Sequence, residues 1–347
     1  MRILIVAPKN LRFKHISEEI MEEFKNFCVD SSFDMVTVET FSFDTSYFKK
    51  KITKLGIKTF ENGYNENLKL ELETRCKNFQ PDFILVLDGA NVPVPVQKFL
   101  AQYKIILWLW ESFKSQSTLQ NFVNYAEEIF CFEYDDLKFL KDKHVKYLPL
   151  GVNDKIYFPR EIERDIDISF VGLASKERLF LLNKICERAL QKNWNVKIGG
   201  IFYNGKHFWK KYIFRYRQKY ITKFLDNRIF SAAEVAELYR SSKICLNINT
   251  AIHKSLSPRT FEICATKSFQ LMNAGQNSHG YMNLDTDLAT FDGVEDLLEK
   301  IEFYLAHDEL REKIALAGYN SVMKNCTLQR LVEKIFSESK IIQSLRN

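Results

Sequence analysis

Short apolar runs alternate with longer stretches of helical spacing along the chain, and the alternation begins twice. In the first 150 residues the strand-like runs are Ile3–Ala7, Met35–Val38, Phe83–Leu87, Ile105–Trp110, Ile129–Phe132 and Val145–Leu148. Between them Ile16–Phe27, Leu68–Phe79 and Tyr134–Lys141 carry apolar residues at helical intervals. Strands alternating with helices make a parallel sheet covered on both faces, and ligands of such sheets sit outside the carboxyl ends of the strands. The residues to inspect are therefore Lys9 to His15, Asp88-Gly89 and Glu111-Ser112.

From Gly151 to Asp167 the pattern breaks into Gly-Val-Asn-Asp-Lys-Ile-Tyr-Phe-Pro-Arg and a charged run, the texture of an interdomain linker. A second alternation follows: strand Ile166–Val171 ending at Gly172, helix Lys176–Gln191, strand Val196–Ile198, helix Ala232–Arg240 and strand Ile244–Ile248. It continues with a helix opening at Pro258, strand Phe269–Met272 and three helices after Gly293. The expected fold class is α/β, with two Rossmann-like domains facing each other across a cleft. The expected boundaries are 1–155 and 156–325, with a helix over 326–347 packing back towards the N-terminal domain. A length of 347 residues suits two domains.

Composition narrows the function. With 50 Lys+Arg against 44 Asp+Glu the chain is mildly basic, which suits anionic small molecules or membrane surfaces and falls short of a dedicated nucleic-acid binder. Seven scattered cysteines without a C-x-x-C pair support neither a disulfide framework nor a zinc site, and point to a reducing cytoplasm. The first apolar run is too short for a signal-peptide core, and no run reaches the ~20 residues of a membrane span. No G-x-G-x-x-G, Walker A, H-E-x-x-H or G-x-S-x-G string occurs, which argues against a dehydrogenase, a P-loop NTPase, a zinc protease and an α/β-hydrolase.

The sharpest string is Ser257-Pro258-Arg259-Thr260-Phe261-Glu262. Ser is a favoured N-cap and Pro a favoured first residue, so a helix opens here, just after a strand that carries Asn247 and Asn249. A helix N-terminus suits a phosphate, Arg259 adds a forked donor, and Glu262 on the same face could accept from ribose hydroxyls. The same residues also read as an i,i+3 surface pair at an ordinary helix opening. Gly172, with Ser175, Lys176 and Arg178 opening the next helix, reads either as a phosphate turn or as a plain turn with solvated bases. Asp165/Asp167 and Asp285/Asp287 resemble metal clamps but lack further ligands nearby and are read as structural. His15, His144, His207, His253, His279 and His307 are dispersed.

In Lys206–Phe224, Phe208, Tyr212, Tyr216, Tyr220 and Phe224 form an every-fourth-residue column beside Lys211, Arg215, Lys219 and Lys223. The column either packs inward with solvated bases beside it or makes an interfacial helix for anionic head groups or a polyanionic acceptor.

The string Tyr147-Leu-Pro-Leu-Gly-Val-Asn-Asp-Lys-Ile-Tyr-Phe-Pro159 resembles the interdomain signature of GT-B glycosyltransferases. Ile168-Ser-Phe-Val-Gly172 with Arg178, then Ile244-Cys-Leu-Asn-Ile248, then Arg259-Thr-Phe-Glu-Ile-Cys-Ala265, resembles the C-terminal domain of the spore-maturation-protein CgeB-like branch of the group 1 enzymes, as do Cys326-Thr327 and Arg330. The resemblance implies a metal-independent transferase, without a separate cofactor, that moves a sugar from a nucleoside-diphosphate donor to a glycan, lipid-linked or protein acceptor in the bacterial cytoplasm. It implies Glu262 on the donor ribose and Arg259 with the helix start on the diphosphate, Ser257, Thr260, Asn247, Gly172, Lys176 and Arg178 completing the donor-binding set. A base from the N-terminal domain would be Glu111 first and Asp88 second, and both also read as strand-end caps. Many group 1 retaining enzymes have a Glu seven residues before the ribose Glu; here Ser255 stands there, so neither sugar nor stereochemical outcome carries over. The rivals are a nucleotide-sugar 2-epimerase and a non-catalytic membrane- or glycan-binding subunit, with peripheral membrane contact through 206–224.

Overall fold

The computed structural model describes residues 1–9, 14–30, 36–44, 58–115, 117–140, 143–203, 208–250 and 254–346. The chain divides into two compact units, one formed by Met1–Leu150 with the segment from Leu328 onward, the other by Gly151–Thr327.

In the first unit β1 (Arg2–Lys9), β2 (Thr37–Asp44), β3 (Phe83–Leu87), β4 (Ile105–Leu109), β5 (Glu128–Cys131) and β6 (His144–Tyr147) form a sheet of order β2-β1-β3-β4-β5-β6, every neighbouring pair parallel. The central strands are buried on both faces, as their unbroken apolar runs require. Alternation sends Leu4, Val6, Ile84, Val86, Leu107 and Leu109 to one face, into a core with Leu72, Val96, Leu100 and Phe122. These come from α2 (Lys58–Phe79), α3 (Val94–Leu100) and α4 (Ser117–Phe122). Helix α1 (Lys14–Asp30) completes the first part of the chain.

In the second unit β7 (Ile166–Val171), β8 (Val196–Gly199), β9 (Leu225–Asp226), β10 (Ser242–Asn247), β11 (Gln270–Asn273) and β12 (Ala289–Phe291) form a parallel sheet of order β12-β11-β10-β7-β8-β9. Its helices are α5 (Lys176–Lys192), α6 (Phe208–Arg217), α7 (Ala232–Arg240), α8 (Pro258–Ala265), α9 (Gly293–Leu305) and α10 (Asp308–Asn325). The chain then returns to the first unit as α11 (Leu328–Glu338) and α12 (Lys340–Arg346). Phe336 of α11 meets Phe24 and Phe27 of α1 at ring-centroid distances of 5.9 and 4.9 Å, and Ile341 N donates to the buried Glu128 Oε1 at 2.9 Å.

Several segments differ from their sequence reading. The three helices expected after Gly293 are four, since the one expected over 326–347 breaks at Ser339 into α11 and α12, and the first unit ends at Leu150 rather than at 155. The helix expected over Tyr134–Lys141 is not formed: Tyr134–Lys138 is a 3-10 turn, because the Asp136 carboxylate turns back to accept from Phe113 N and Ser112 Oγ, and Lys141 lies outside the described residues. The strand expected at Met35–Val38 is β2, which its ladder with β1 extends to Asp44; Met35 lies outside the described residues. Lys206–Phe224 is not one helix: α6 stops at Arg217, a 3-10 turn covers Ile221–Lys223 and β9 follows, while Lys206 and His207 lie outside the described residues.

Candidate functional site

In the second sheet the chain starts at β7, builds outward through β8 and β9, and then crosses to β10 on the other side of β7. The order reverses between β7 and β10, and the crevice beyond the carboxyl ends of two such strands is where open α/β sheets bind ligands. Gly172 follows β7 and Asn247 ends β10, so both stand at this point.

Arg259, in the first turn of α8, spans the two strands. Its Nη1 donates to Asn247 Oδ1 at 3.3 Å, and its guanidinium lies 5.7 Å from the centroid of the Phe170 ring, near buried Tyr239. Burial and the nearby Glu262 charge raise the Tyr239 phenol, while Arg259 opposes the shift. A guanidinium has five N–H groups, so these contacts orient the fork without exhausting it. Asn247, fully buried, also donates from Nδ2 to Thr260 Oγ1 at 3.0 Å, which fixes the start of α8 to the end of β10.

The opening of α8 has the expected Ser257 N-cap and Pro258 at the first helical position, but Ser257 makes no side-chain capping bond. Instead Thr260 N donates to the Ser257 carbonyl at 2.9 Å, and the Ser257 Oγ is buried without a partner. Just past β10, Asn249 is buried, its backbone N donates to Asn273 Oδ1 at 2.6 Å, and its Nδ2 is also buried without a partner. Orphaned polar atoms at the start of α8 and just past β10 are what a polar ligand would satisfy. Glu262 lies one turn further along α8, partly buried.

Backbone approaches closely here. A Cβ on Gly172 would stand 2.9 Å from Phe170 Cζ and 3.2 Å from Arg259 Nη2, and one on Gly200 (φ +130°) would stand 2.0 Å from the Gly172 carbonyl oxygen. The pair Gly199-Gly200 and the residues Tyr239 and Asn273 were not singled out from the sequence. A two-glycine turn and a strand-end Asn carry no local signature, and only the packing of β8 against β7 gives Gly200 its role.

Arg178 and Lys176 part company. Arg178 donates from Nε to Ile248 O at 2.8 Å and from Nη1 to Leu173 O at 3.0 Å, tying the loops after β7 and β10 together. Lys176 is exposed in the first turn of α5, which Ser175 caps by accepting from Arg178 N at 3.2 Å.

In the first unit the order reverses between β1 and β3. Asp88 stands just past β3 there, buried, with a left-handed φ of 67° and its Oδ2 accepting from Asn91 Nδ2 at 3.2 Å. Lys9 ends β1, and 10–13 of the inspected stretch lie outside the described residues. Glu111 follows β4, one strand away, and is partly exposed. Next to it Ser112 Oγ donates to Asp136 Oδ1 at 3.0 Å and Phe113 N to Asp136 Oδ2 at 2.7 Å; burial raises the Asp136 carboxyl in spite of these bonds. Asp136 and the buried Glu133 were missed in the sequence, where Asp136 reads as the polar side of the helix expected over Tyr134–Lys141.

The carboxylates with D-x-D spacing are held locally. Asp167 pairs with Lys243 at 2.8 Å and accepts from Asn195 N, and Asp287 accepts from Asn283 N at 2.8 Å. Among the described residues no group of three or more His, Cys, Asp and Glu could hold a metal ion. A concavity of about 720 Å³ lined by Arg160, Arg164, Thr266, Lys267, Glu312 and Tyr319 lies at the amino end of the second sheet, away from the switch point. Its Arg164 is already bound to the carbonyls of Ser242 and Lys267 and to Glu312.

A model of the glycosyl transferase-like family matches residues 178–337. The chain is 25% identical over 296 residues to spore protein CgeB of Bacillus subtilis (strain 168), spanning 80% of this chain and 90% of that protein. Anabaena HepE in complex with UDP-glucose superposes with a TM-score of 0.70 at 12% identity over 100% of this chain and 99% of its own. A glycosyltransferase from Rickettsia africae ESF-5 does so with a TM-score of 0.67 at 13% identity, over 100% and 99%. The UDP-GlcNAc 2-epimerase of Neisseria meningitidis bound to UDP-GlcNAc follows with 0.63 at 12% identity, over 100% of both chains. The shared fold of these structures, two parallel α/β units, is GT-B.

Proposed function

We propose that this chain is a CgeB-like GT-B glycosyltransferase that moves a sugar from a nucleoside-diphosphate donor to a glycan, lipid-linked or protein acceptor without a metal ion. The observation that carries the donor assignment is Arg259, held by Asn247 beside the Phe170 ring over the β7/β10 switch point at the opening of α8. The diphosphate sits against the N-terminus of α8, where Arg259 and the Ser257 hydroxyl meet its oxygens. Lys176 adds charge from the first turn of α5. As the sugar–phosphate bond breaks, negative charge grows on the leaving diphosphate, and a preorganised helix end and guanidinium stabilise it there. These groups do for the diphosphate what a divalent cation does elsewhere. Glu262 accepts from the ribose hydroxyls. Gly172 lets the backbone approach, and Thr260, Asn247 and Arg178 hold the cradle's shape.

Where the acceptor must lose a proton, Glu111 takes it, because it is the more exposed of the two strand-end carboxylates; Asp88 shapes the loop after β3. Uridine is the first base to test, since the HepE structure holds UDP-glucose. The epimerase reading has a structural neighbour with a lower TM-score, whereas the family model that matches residues 178–337 is glycosyl transferase-like.

Calorimetry with UDP tests the donor site. Glu262→Ala removes a charged acceptor worth ~1.5–3 kcal/mol, or roughly ten- to a hundredfold in affinity, and Arg259→Gln should cost a similar factor. Affinity and turnover of the wild type should survive EDTA. Unchanged UDP affinity in a folded Glu262→Ala protein would reject the ribose assignment, and rescue of EDTA-treated enzyme by Mg²⁺ would reject metal independence. Interconversion of a UDP-sugar at C2 without acceptor would establish the epimerase instead.

A further inference from the structure

Helix α6 has two apolar faces. Phe214 points inward and packs on Phe202 and Tyr203, with ring centroids 6.3 and 5.1 Å apart. Trp209, Tyr212, Ile213 and Tyr216, at i, i+3, i+4 and i+7, form a second stripe that faces outward, exposed by 48, 64, 46 and 88%. The expected aromatic column is thereby split: Tyr212 and Tyr216 are outside, whereas Tyr220 and Phe224 pack on the core. A four-residue stripe of large apolar side chains facing water is costly unless something covers it.

The charge around the stripe says what covers it. Between Phe208 and Phe224 the chain carries Lys210, Lys211, Arg215, Arg217, Lys219 and Lys223 and no Asp or Glu, a local charge equal to the +6 of the whole protein. Among the described residues no ion pair engages Lys210, Lys211, Arg215, Arg217 or Lys219. Trp and Tyr with an apolar body and a polar tip, bordered by cations, suit the boundary between head groups and acyl chains.

We infer that the outward face of α6 docks on an anionic lipid surface, with Trp209, Tyr212, Ile213 and Tyr216 inserted at head-group depth and the flanking Lys and Arg on the lipid phosphates. The inference does not rest on the donor site, and its test needs no donor. Because β8 and β9 are parallel, the chain between them must run back along the sheet, so α6 begins on the carboxyl-end side, the side of Gly172 and Asn247. Docking there would place a lipid-borne acceptor at the reacting end of the unit.

The test is sedimentation of the full-length protein with vesicles of phosphatidylcholine alone and with phosphatidylglycerol added. Wild type should sediment with the anionic vesicles only, and added salt should release it. Lys210→Glu/Lys211→Glu/Arg215→Glu should lower partitioning at least about a hundredfold. Trp209→Ser/Tyr216→Ser should lose binding too, and the blue shift of emission on adding vesicles should vanish in Trp209→Phe. Circular dichroism and thermal unfolding, unchanged in each variant, show that the fold is kept. Failure of wild type to sediment overturns the inference. So does an aromatic variant that binds like wild type, or displacement of the protein from vesicles by RNA with no blue shift on lipid, since the face would then be a general polyanion site.

Discussion

Gly200 is the residue on which the second unit's switch point leans most directly. Its φ of +130° admits few side chains, and a Cβ would strike the Gly172 carbonyl, a backbone atom that cannot swing aside. Gly275, at φ +98°, has open space around its missing Cβ. Gly200→Ala should therefore cost roughly 3 kcal/mol or more, and Gly275→Ala only about 1–2, as strain without a clash. Thermal unfolding of the two variants compares them directly; equal losses would mean that the β7/β8 approach relaxes freely. At this scale the sequence was informative where a residue's role is local. Ser257, Pro258 and Arg259 announce a helix start, and Gly172 announces a turn. It was silent where the role comes from a distant partner, as with Gly200 under Gly172, Tyr239 beside Arg259, and Asp136 beneath Ser112. Arg178 illustrates the converse: its position by a helix start suggested a phosphate ligand, and the structure commits two of its donors to carbonyls.

Among the elements, α7 shows how a short helix is fixed by its first turn. Ser231 Oγ accepts from Glu234 N at 3.3 Å while the Glu234 carboxylate accepts from Ser231 N at 2.8 Å, a closed capping box, and Arg228 donates to the same carboxylate at 2.7 Å. The Ser231 backbone bond, then Arg228, then the Ser231 hydroxyl hold the Glu234 carboxyl down at about 2, from an ordinary 4.5. A depressed carboxyl stabilises the fold above its unfolded value. The contribution is complete above pH 4.5 and is lost as the pH falls towards 2. Glu234→Gln should thus lower the melting temperature at pH 7 and flatten its fall between those two values; parallel curves for mutant and wild type would show that the box contributes nothing there. Element types were readable from period and length, since the long runs became β1, β3, β4, β7 and α5. The faces were not. Spacing alone gives α6 a stripe at 209, 212, 213 and 216 as readily as a column at 208, 212 and 216, and only contact with Phe202 and Tyr203 says which side faces in. Strands β9 and β12, two and three residues long, are too short to carry a period at all.

For the whole molecule, the chain crosses between its two units twice, at Leu150/Gly151 and at Thr327/Leu328. The second crossing matters for stability. Helices α11 and α12 bury Leu328, Leu331, Val332, Ile335, Phe336, Ile341 and Ile342 within the first unit. At ~1.5–3 kcal/mol per buried side chain the seven come to ~10–20 kcal/mol as an upper estimate, comparable with the entire stability of a typical domain. The doubly apolar runs of β1, β3 and β4 explain the need: a parallel sheet must be covered on both faces, and α1 alone is one helix where α2, α3 and α4 serve the other side. The second unit has no such debt, because Gly151–Thr327 holds its own sheet, its own core and all of Gly172, Asn247, Arg259 and Glu262. Ending the chain at Thr327 should therefore leave Met1–Leu150 unable to fold, with loss of its unfolding transition and exposure of apolar surface to a hydrophobic dye. The fragment Gly151–Thr327 should melt cooperatively and bind UDP within about tenfold of the full chain's affinity, a loss of no more than ~1.4 kcal/mol. Calorimetry and hydrogen exchange on the two truncated proteins read both halves of this expectation. A folded, soluble 1–327 chain with both transitions intact would show that the returning helices ornament the first unit rather than complete it.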